Sequence, residues 1–166
     1  SAEQVRLQDI ELPMLLRVQL EKFVLAAQEK HIQLCIETCP QQQIHSDVKM
    51  MDLILENLLS NAIKYTPQGG KVTLSASVEG KMAVIHVCDT GIGIPKAEIK
   101  SIFKTFFRAS NAINSQEMGS GLGLMLTRKL VEKLGGKLSF VSEEGKGTTF
   151  CVKMPLGHVT DSSVRL

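Results

Sequence analysis

Three polar residues, Asn57, Asn61 and Lys64, interrupt a stretch of the 166-residue sequence that is otherwise mostly apolar. At about 100° of rotation per residue, a helix places all three within an arc of about 60°. Asparagine is a poor helix-interior residue, and a buried amide without a hydrogen-bond partner costs about 1–3 kcal/mol. The stripe indicates a binding site for a polar ligand; the solvated face of a surface helix is the alternative interpretation.

A carboxylate followed by a glycine-rich turn is the second feature that could do chemistry. Residues 89–95 read DTGIGIP and follow a predicted strand. Gly91 and Gly93 let the backbone approach a ligand closely, and the Asp89 carboxylate can only accept hydrogen bonds. An adenine amino group is a suitable donor for this acceptor, and an ordinary tight turn is the alternative.

A second glycine-rich segment opens a predicted helix. It consists of Gly119, Ser120, Gly121, Leu122, Gly123 and Leu124. Backbone N–H groups at such a helix N-terminus bind anions, phosphates above all. The spacing is not the dinucleotide-binding fingerprint, and the sequence has neither a Walker A motif nor the signatures of protein kinases with a D-F-G segment. A nucleoside phosphate would therefore be bound by another architecture.

The elements that must position these residues are helices interleaved with hairpins. Apolar periodicity predicts helices over residues 13–30, 47–65 and 121–134, the last stopped by two glycines. Strands are predicted at residues 32–37, 72–78, 82–89, 137–141 and 148–154, with a short helical turn near 96–103. This mixture predicts an α/β two-layer domain built on one sheet.

The composition excludes several classes of function. With 19 basic and 17 acidic residues the net charge is +2, which argues against a nucleic-acid-binding surface. No apolar run approaches the roughly 20 residues that cross a bilayer. Cys35, Cys39, Cys88 and Cys151 lack a metal-binding spacing, so we expect structural thiols in a reducing, cytoplasmic compartment.

The order and spacing of five segments resemble the catalytic and ATP-binding domain of sensor histidine kinases, within the gyrase–chaperone–MutL ATPase superfamily. They resemble the N box (56–67, ENLLSNAIKYTP), the G1 box (89–95), the F box (103–108, FKTFFR), the G2 box (119–124) and the closing strand (145–150, GKGTTF). The resemblance implies the Bergerat ATP-binding fold, a mixed, mostly antiparallel sheet on about three helices. It implies a domain at 13–156, preceded by a linker or the end of a dimerisation helix at 1–12 and followed by a flexible tail at 157–166.

The resemblance also implies roles for the residues of the helical stripe. Asn61 would coordinate the Mg²⁺ that bridges the ATP phosphates, Asn57 would lie beside it, and Lys64 would contact phosphate. Hydrolytic members of the superfamily place a general-base Glu where this chain has Asn57. Rapid ATP hydrolysis is therefore disfavoured, whereas phosphoryl transfer to a better nucleophile remains possible.

The resemblance implies that Asp89 binds the adenine. Its carboxylate would accept a hydrogen bond from the adenine amino group and so distinguish ATP from GTP. Tyr65 would pack near the adenine, and Thr148 would support it. The other nucleotide-binding positions implied are Gly91, Gly93, Ile94, Arg108 and residues 119–124. Residues of about 108–120 look like a mobile lid, with Phe103, Phe106 and Phe107 expected to anchor it on the core.

The family's phosphoacceptor, a His followed by an acidic residue on a long helix, does not occur in this sequence. We therefore expect the ATP half of the enzyme without its substrate half, and no catalytic residue is assigned. Implied partners are its own dimerisation domain and a response-regulator receiver domain. The isolated domain is expected to be a cytoplasmic monomer, and the full-length protein a homodimer that can be anchored in the inner membrane. The alternative is a degenerate ATP-binding or scaffolding module without phosphotransfer.

Overall fold

A five-stranded sheet is the frame of the structure. The computed structural model describes residues 4–104 and 123–157. The elements are β1 Gln8–Glu11, α1 Leu12–Glu29, β2 Gln33–Thr38, β3 Gln43–Ser46, α2 Val48–Tyr65, β4 Lys71–Glu79, β5 Met82–Asp89, a 3₁₀ turn Lys96–Ser101, α3 Gly123–Lys133, β6 Lys137–Glu143 and β7 Gly147–Pro155. The sheet order is β2-β4-β5-β7-β6, with β2 and β4 parallel and the other pairs antiparallel. The predicted two-layer α/β sandwich with a mixed, mostly antiparallel sheet is confirmed.

The core lies between α2 and the inner face of the sheet. Alternate residues of neighbouring strands stand opposite one another, as in the row of Leu74, Val87 and Phe150. All three side chains are buried, as are Ile54 and Leu58 of α2. This burial fixes α2 against the sheet, with its polar stripe half-buried at the edge of the packed face.

Hydrogen bonds secure both ends of α2. At the start, Asp47 is the N-cap and its side chain accepts from the Met50 N–H at 3.0 Å. At the end, the Lys30 ammonium donates to the carbonyl oxygens of Ile63 and Lys64 at 2.8 and 2.7 Å. A cation at a helix C-terminus is favoured by the free carbonyls and by the helix dipole. The turn that carries Lys64 is therefore held from α1.

A small second sheet corrects the prediction for the first residues. Gln8–Glu11 were expected to be linker or the end of a helix, but they form β1 and pair with β3, which was not predicted at all. Ile10 and Ile44 are paired and buried. Each strand thus buries a single isoleucine among polar neighbours, too short a pattern to show the period of a strand.

Two further findings concern the surface. Cys88 is exposed although it lies in an apolar run, while Cys35, Cys39 and Cys151 are half-buried, and none of these four thiols is in a disulfide. No helix in the described part of the chain is both long enough and apolar enough to cross a membrane.

Two leucines of α2 test this packing. Leu58 is fully buried, whereas Leu53 is 48% exposed on the same helix. We expect Leu58→Ala to lower the free energy of unfolding by about 2–5 kcal/mol, because it leaves a cavity, and Leu53→Ala by under about 1 kcal/mol. Urea denaturation followed by circular dichroism measures both values, and equal losses would contradict the described core.

Candidate functional site

The Asp89 carboxylate lies at the end of β5. Its Oδ1 accepts hydrogen bonds from the Gly91 N–H at 2.8 Å and the Thr148 N–H at 3.1 Å. Burial raises the pKa of Asp89 above its ordinary value, and these two hydrogen bonds oppose the rise. Both bonds end on Oδ1, and none of the residues that the structure describes donates to Oδ2. Oδ2 is therefore available to an external donor.

A pair of hydroxyl groups lies on β6 and β7, one of them on the residue whose N–H binds Asp89. The oxygens of Ser142 and Thr148 lie 2.7 Å apart, and Ser142 Oγ also accepts from the Ile94 N–H at 2.9 Å. This ties the loop after β5 to the β6–β7 hairpin. Ser142 was missed in the sequence because the predicted strand ended at residue 141 and the residue belongs to no motif.

The glycine-rich loop after β5 packs too closely for side chains. A Cβ at Gly91 would lie 2.6 Å from the carbonyl oxygen of Tyr65, and Gly93 has a φ of 66° with its Cβ position overlapping the Glu143 carbonyl. The loop is bonded on both sides, since the Ile92 N–H donates to Tyr65 and its carbonyl accepts from the Gly145 N–H. Asp89, Tyr65 and Thr148 are thereby brought to one end of the sheet.

The helical stripe lies on α2 as its spacing predicted. Asn57, Asn61 and Lys64 are all half-buried, so the stripe is not a fully solvated face. Asn57 Nδ2 donates to Thr127 Oγ1 on α3 at 3.1 Å. Within residues 4–104 and 123–157, no hydrogen bond or ion pair occupies the side chains of Asn61 and Lys64. These polar groups are therefore free to meet a ligand.

The remaining predicted positions divide into two groups. Gly123 and Leu124 form the start of α3. Arg108, Gly119, Ser120, Gly121 and Leu122 lie outside the described residues, as do Phe106 and Phe107.

Phe103 packs edge-on against Phe140 with ring centres 5.7 Å apart, and the Arg128 guanidinium lies 4.7 Å from the ring centre of Phe103. Phe103 thus packs on the core, as expected of an anchor.

The donor set fits a nucleotide better than a protein-only metal centre. Among the described residues, no group of three His, Cys, Asp or Glu side chains could hold a metal ion. Magnesium prefers oxygen ligands and commonly takes one or two from protein, with phosphates and water completing the shell. The amide oxygens of Asn57 and Asn61 fit that pattern, and the acceptor at Asp89 fits a base.

Two glycines with similar backbone angles test the loop packing. Gly93 (φ 66°) faces the Glu143 carbonyl, whereas Gly80 (φ 59°) has nothing within 4 Å of its Cβ position. Gly80→Ala should cost about 1–2 kcal/mol of unfolding free energy through backbone strain alone. Gly93→Ala should cost at least about 2 kcal/mol more, because the carbonyl must move. Equal losses in urea denaturation would contradict the close packing.

The raised pKa of Asp89 predicts a pH dependence of stability. A carboxyl group whose folded pKa is raised stabilises the fold below its unfolded pKa, and this contribution is lost as pH rises through the folded pKa. Asp89→Asn cannot ionise, so its unfolding free energy should rise relative to the unmutated domain between about pH 3 and pH 7.

Asp47 provides the control with the opposite sign. Burial would raise the pKa of Asp47, but hydrogen bonds from the N–H groups of Arg6, Met50 and Lys49 hold it below its ordinary value. Asp47→Asn keeps a good N-cap residue. Its unfolding free energy relative to the unmutated domain should nevertheless fall as the pH rises over the same range. Denaturant titrations at several pH values measure both, and parallel trends would contradict the assignment.

Comparison with known proteins identifies the family. Residues 46–158, more than half of the chain, match the family described as "Histidine kinase-, DNA gyrase B-, and HSP90-like ATPase". Among curated proteins, the sensor histidine kinase YclK of Bacillus subtilis is 34% identical over 158 residues, covering 93% of this chain and 33% of YclK. The chain spans about a third or less of the curated relatives YclK, WalK and CikA.

Two solved structures share the fold described above. Full-length ShkA in complex with AMPPNP gives a TM-score of 0.80 at 30% identity, covering 93% of this chain and 32% of ShkA. The histidine kinase ThkA in complex with the response regulator TrrA gives a TM-score of 0.76 at 25% identity, covering 91% of this chain and 42% of that one. The chain belongs to the histidine kinase-, DNA gyrase B- and HSP90-like ATPase family.

Proposed function

We propose that this chain is the ATP-binding catalytic domain of a two-component sensor histidine kinase. It transfers the γ-phosphoryl group of ATP to a histidine on a separate dimerisation domain. The observation that carries the proposal is the Asp89 carboxylate, whose Oδ1 is held by two backbone N–H groups while Oδ2 has no donor among the described residues. Family membership and the AMPPNP complex of the similar kinase ShkA support it.

The adenine amino group donates to Asp89. Guanine has a carbonyl oxygen at the equivalent position, which would face the carboxylate as a second acceptor. A hydrogen bond to a charged group contributes about 1.5–3 kcal/mol, which corresponds to roughly 10- to 100-fold selectivity for ATP. Tyr65 packs near the base, Thr148 supports the carboxylate, and the loop with Gly91, Gly93 and Ile94 lies along the nucleotide.

The phosphates lie along α2 and the start of α3. Asn61 holds Mg²⁺, Asn57 lies beside it, and Lys64 binds a phosphate oxygen. When bound, Mg²⁺ neutralises charge on the phosphates. Arg108, Gly119, Ser120, Gly121 and Leu122, which lie outside the described residues, are included among the proposed nucleotide-binding residues, and Gly123 and Leu124 direct backbone N–H groups towards the phosphates.

The residue at position 57 favours transfer over hydrolysis. A carboxylate there could activate water, whereas the Asn57 amide cannot accept a proton at neutral pH. The phosphoryl group therefore reaches an incoming histidine nitrogen, and positioning supplies most of the catalysis. The histidine comes from the dimerisation domain, and a response-regulator receiver domain takes the phosphoryl group next.

We also propose the context of the domain. The domain covers about residues 13–156 together with β1 and is monomeric in isolation. It belongs to a longer homodimeric protein. The catalytic domain of that protein lies in the cytoplasm, and the protein can be anchored in the inner membrane. The alternative is a scaffolding module that binds ATP without transferring its phosphoryl group.

Phosphotransfer in a mixture tests the proposal. The domain is incubated with the dimerisation domain of the same protein, Mg²⁺ and ATP labelled at the γ-phosphate. We expect an acid-labile phosphate on the dimerisation domain, and Asn61→Ala should lower its rate at least about 100-fold, because metal binding contributes several kcal/mol.

Leu53→Ala is the matched control on the same helix, since its side chain is 48% exposed, and it should keep the unmutated rate. Nucleotide binding without labelled product would favour the scaffolding module. Absence of nucleotide binding by the unmutated domain would reject the enzyme altogether.

A further inference from the structure

Thr127 places a buried hydroxyl group at the contact between α2 and α3. Its side chain is fully buried, with 0% exposure. Thr127 Oγ1 donates to the Gly123 carbonyl oxygen at 2.6 Å and accepts from Asn57 Nδ2 at 3.1 Å. The hydroxyl thus connects the first residue of α3 to the polar stripe of α2.

The proton of this hydroxyl decides which way the Asn57 amide faces. A threonine hydroxyl has one proton to donate and two lone pairs. Because the Gly123 carbonyl takes the proton, Oγ1 can act towards Asn57 only as an acceptor. If the amide were flipped, its oxygen Oδ1 would face a lone pair of Thr127 Oγ1, and no hydrogen bond could form between them. The amide nitrogen therefore faces Thr127, and the carbonyl oxygen Oδ1 faces away from it.

We propose that Thr127 is a positioning residue that keeps the Asn57 amide oxygen available to the Mg²⁺ that accompanies the phosphates. The inference rests on the function proposed above, since it gives Thr127 a part in the same site. Asn57 shares one face of α2 with Asn61 and Lys64, and no protein group in the described part of the chain occupies those two side chains. Because the orientation of the Asn57 amide is already fixed, ligand binding does not incur the entropy cost of ordering that side chain.

The same contact discriminates between side chains at position 57. An ionised carboxylate has no proton to donate, so a Glu or Asp in place of Asn57 could not bond to an Oγ1 whose proton is held by Gly123. Thr127 is thus matched to an amide at position 57. It also makes the orientation of that amide depend on the first turn of α3, which begins with Gly123 and Leu124 of the glycine-rich segment.

Four variants separate positioning from general stability. Thr127→Val keeps the shape without the hydroxyl, Thr127→Ser keeps the hydroxyl without the methyl group, and Asn57→Ala is made alone and combined with Thr127→Val. The first readout needs no ligand: the exchange rate of the Asn57 side-chain amide protons, by nitrogen-edited NMR. The second is the affinity for ATP by calorimetry, with Mg²⁺ and with a chelator. Thermal unfolding checks that each variant is folded.

We expect Thr127→Val to speed the amide exchange about tenfold and to weaken Mg²⁺–ATP binding about 3- to 10-fold, with a smaller effect on ATP alone. For Thr127→Ser, the amide exchange rate and the affinity for Mg²⁺–ATP should both lie within about twofold of those of the unmutated domain. In the Asn57→Ala background, Thr127→Val should have no further effect, because the group that it orients is gone.

Two results would overturn the inference while leaving the proposed function intact. One is Mg²⁺–ATP binding by Thr127→Val that equals that of the unmutated domain. The other is an equal loss in the Asn57→Ala background, which indicates a purely structural effect. If the unmutated domain itself binds no ATP, the proposed function fails, and the positioning role fails with it.

Discussion

The structure of the site depends on a half-buried carboxylate whose hydrogen bonds, among the described residues, come from backbone groups. Asp89 accepts on Oδ1 from the N–H groups of Gly91 and Thr148, while burial raises its pKa and so opposes its ionisation. The arrangement requires the end of β5 to stand opposite the start of β7, as the pairing of Asp89 with Thr148 provides. It also requires a tight turn after β5. Both the sheet order and the glycine-rich loop are therefore needed to place the Asp89 carboxylate.

The phosphate end of the proposed site is built on a different principle. Helix α2 is fixed on its apolar side by the sheet and at its C-terminus by the Lys30 ammonium. Its polar side carries Asn61 and Lys64, whose side chains have no partner among the described residues, and one amide, Asn57, that is bonded to α3. The net charge of +2 does not conflict with phosphate binding, because a metal ion, one lysine and backbone dipoles can neutralise the phosphates locally.

The sequence alone predicted those parts of the fold that repeat a pattern or use special residues. The periodicity of α2 and the hairpin of β4 and β5 predicted the core, and the glycines at 91 and 93 indicated the loop that the structure bends against Tyr65 and Glu143. Strands β1 and β3 could not be predicted, because each buries only one apolar side chain, Ile10 and Ile44 respectively. Ser142 and Thr127 were missed for a related reason: each acts through one hydroxyl whose partner is distant in sequence.

The central claim is that Asp89 accepts a hydrogen bond from the adenine amino group, and a calorimetric titration tests it most directly. ATP and GTP are titrated into the unmutated domain and into Asp89→Asn in the presence of Mg²⁺. We expect the unmutated domain to prefer ATP by roughly 10- to 100-fold and the variant to lose most of that preference. Equal affinities of the unmutated domain for ATP and GTP, or an unchanged preference in the variant, would contradict it.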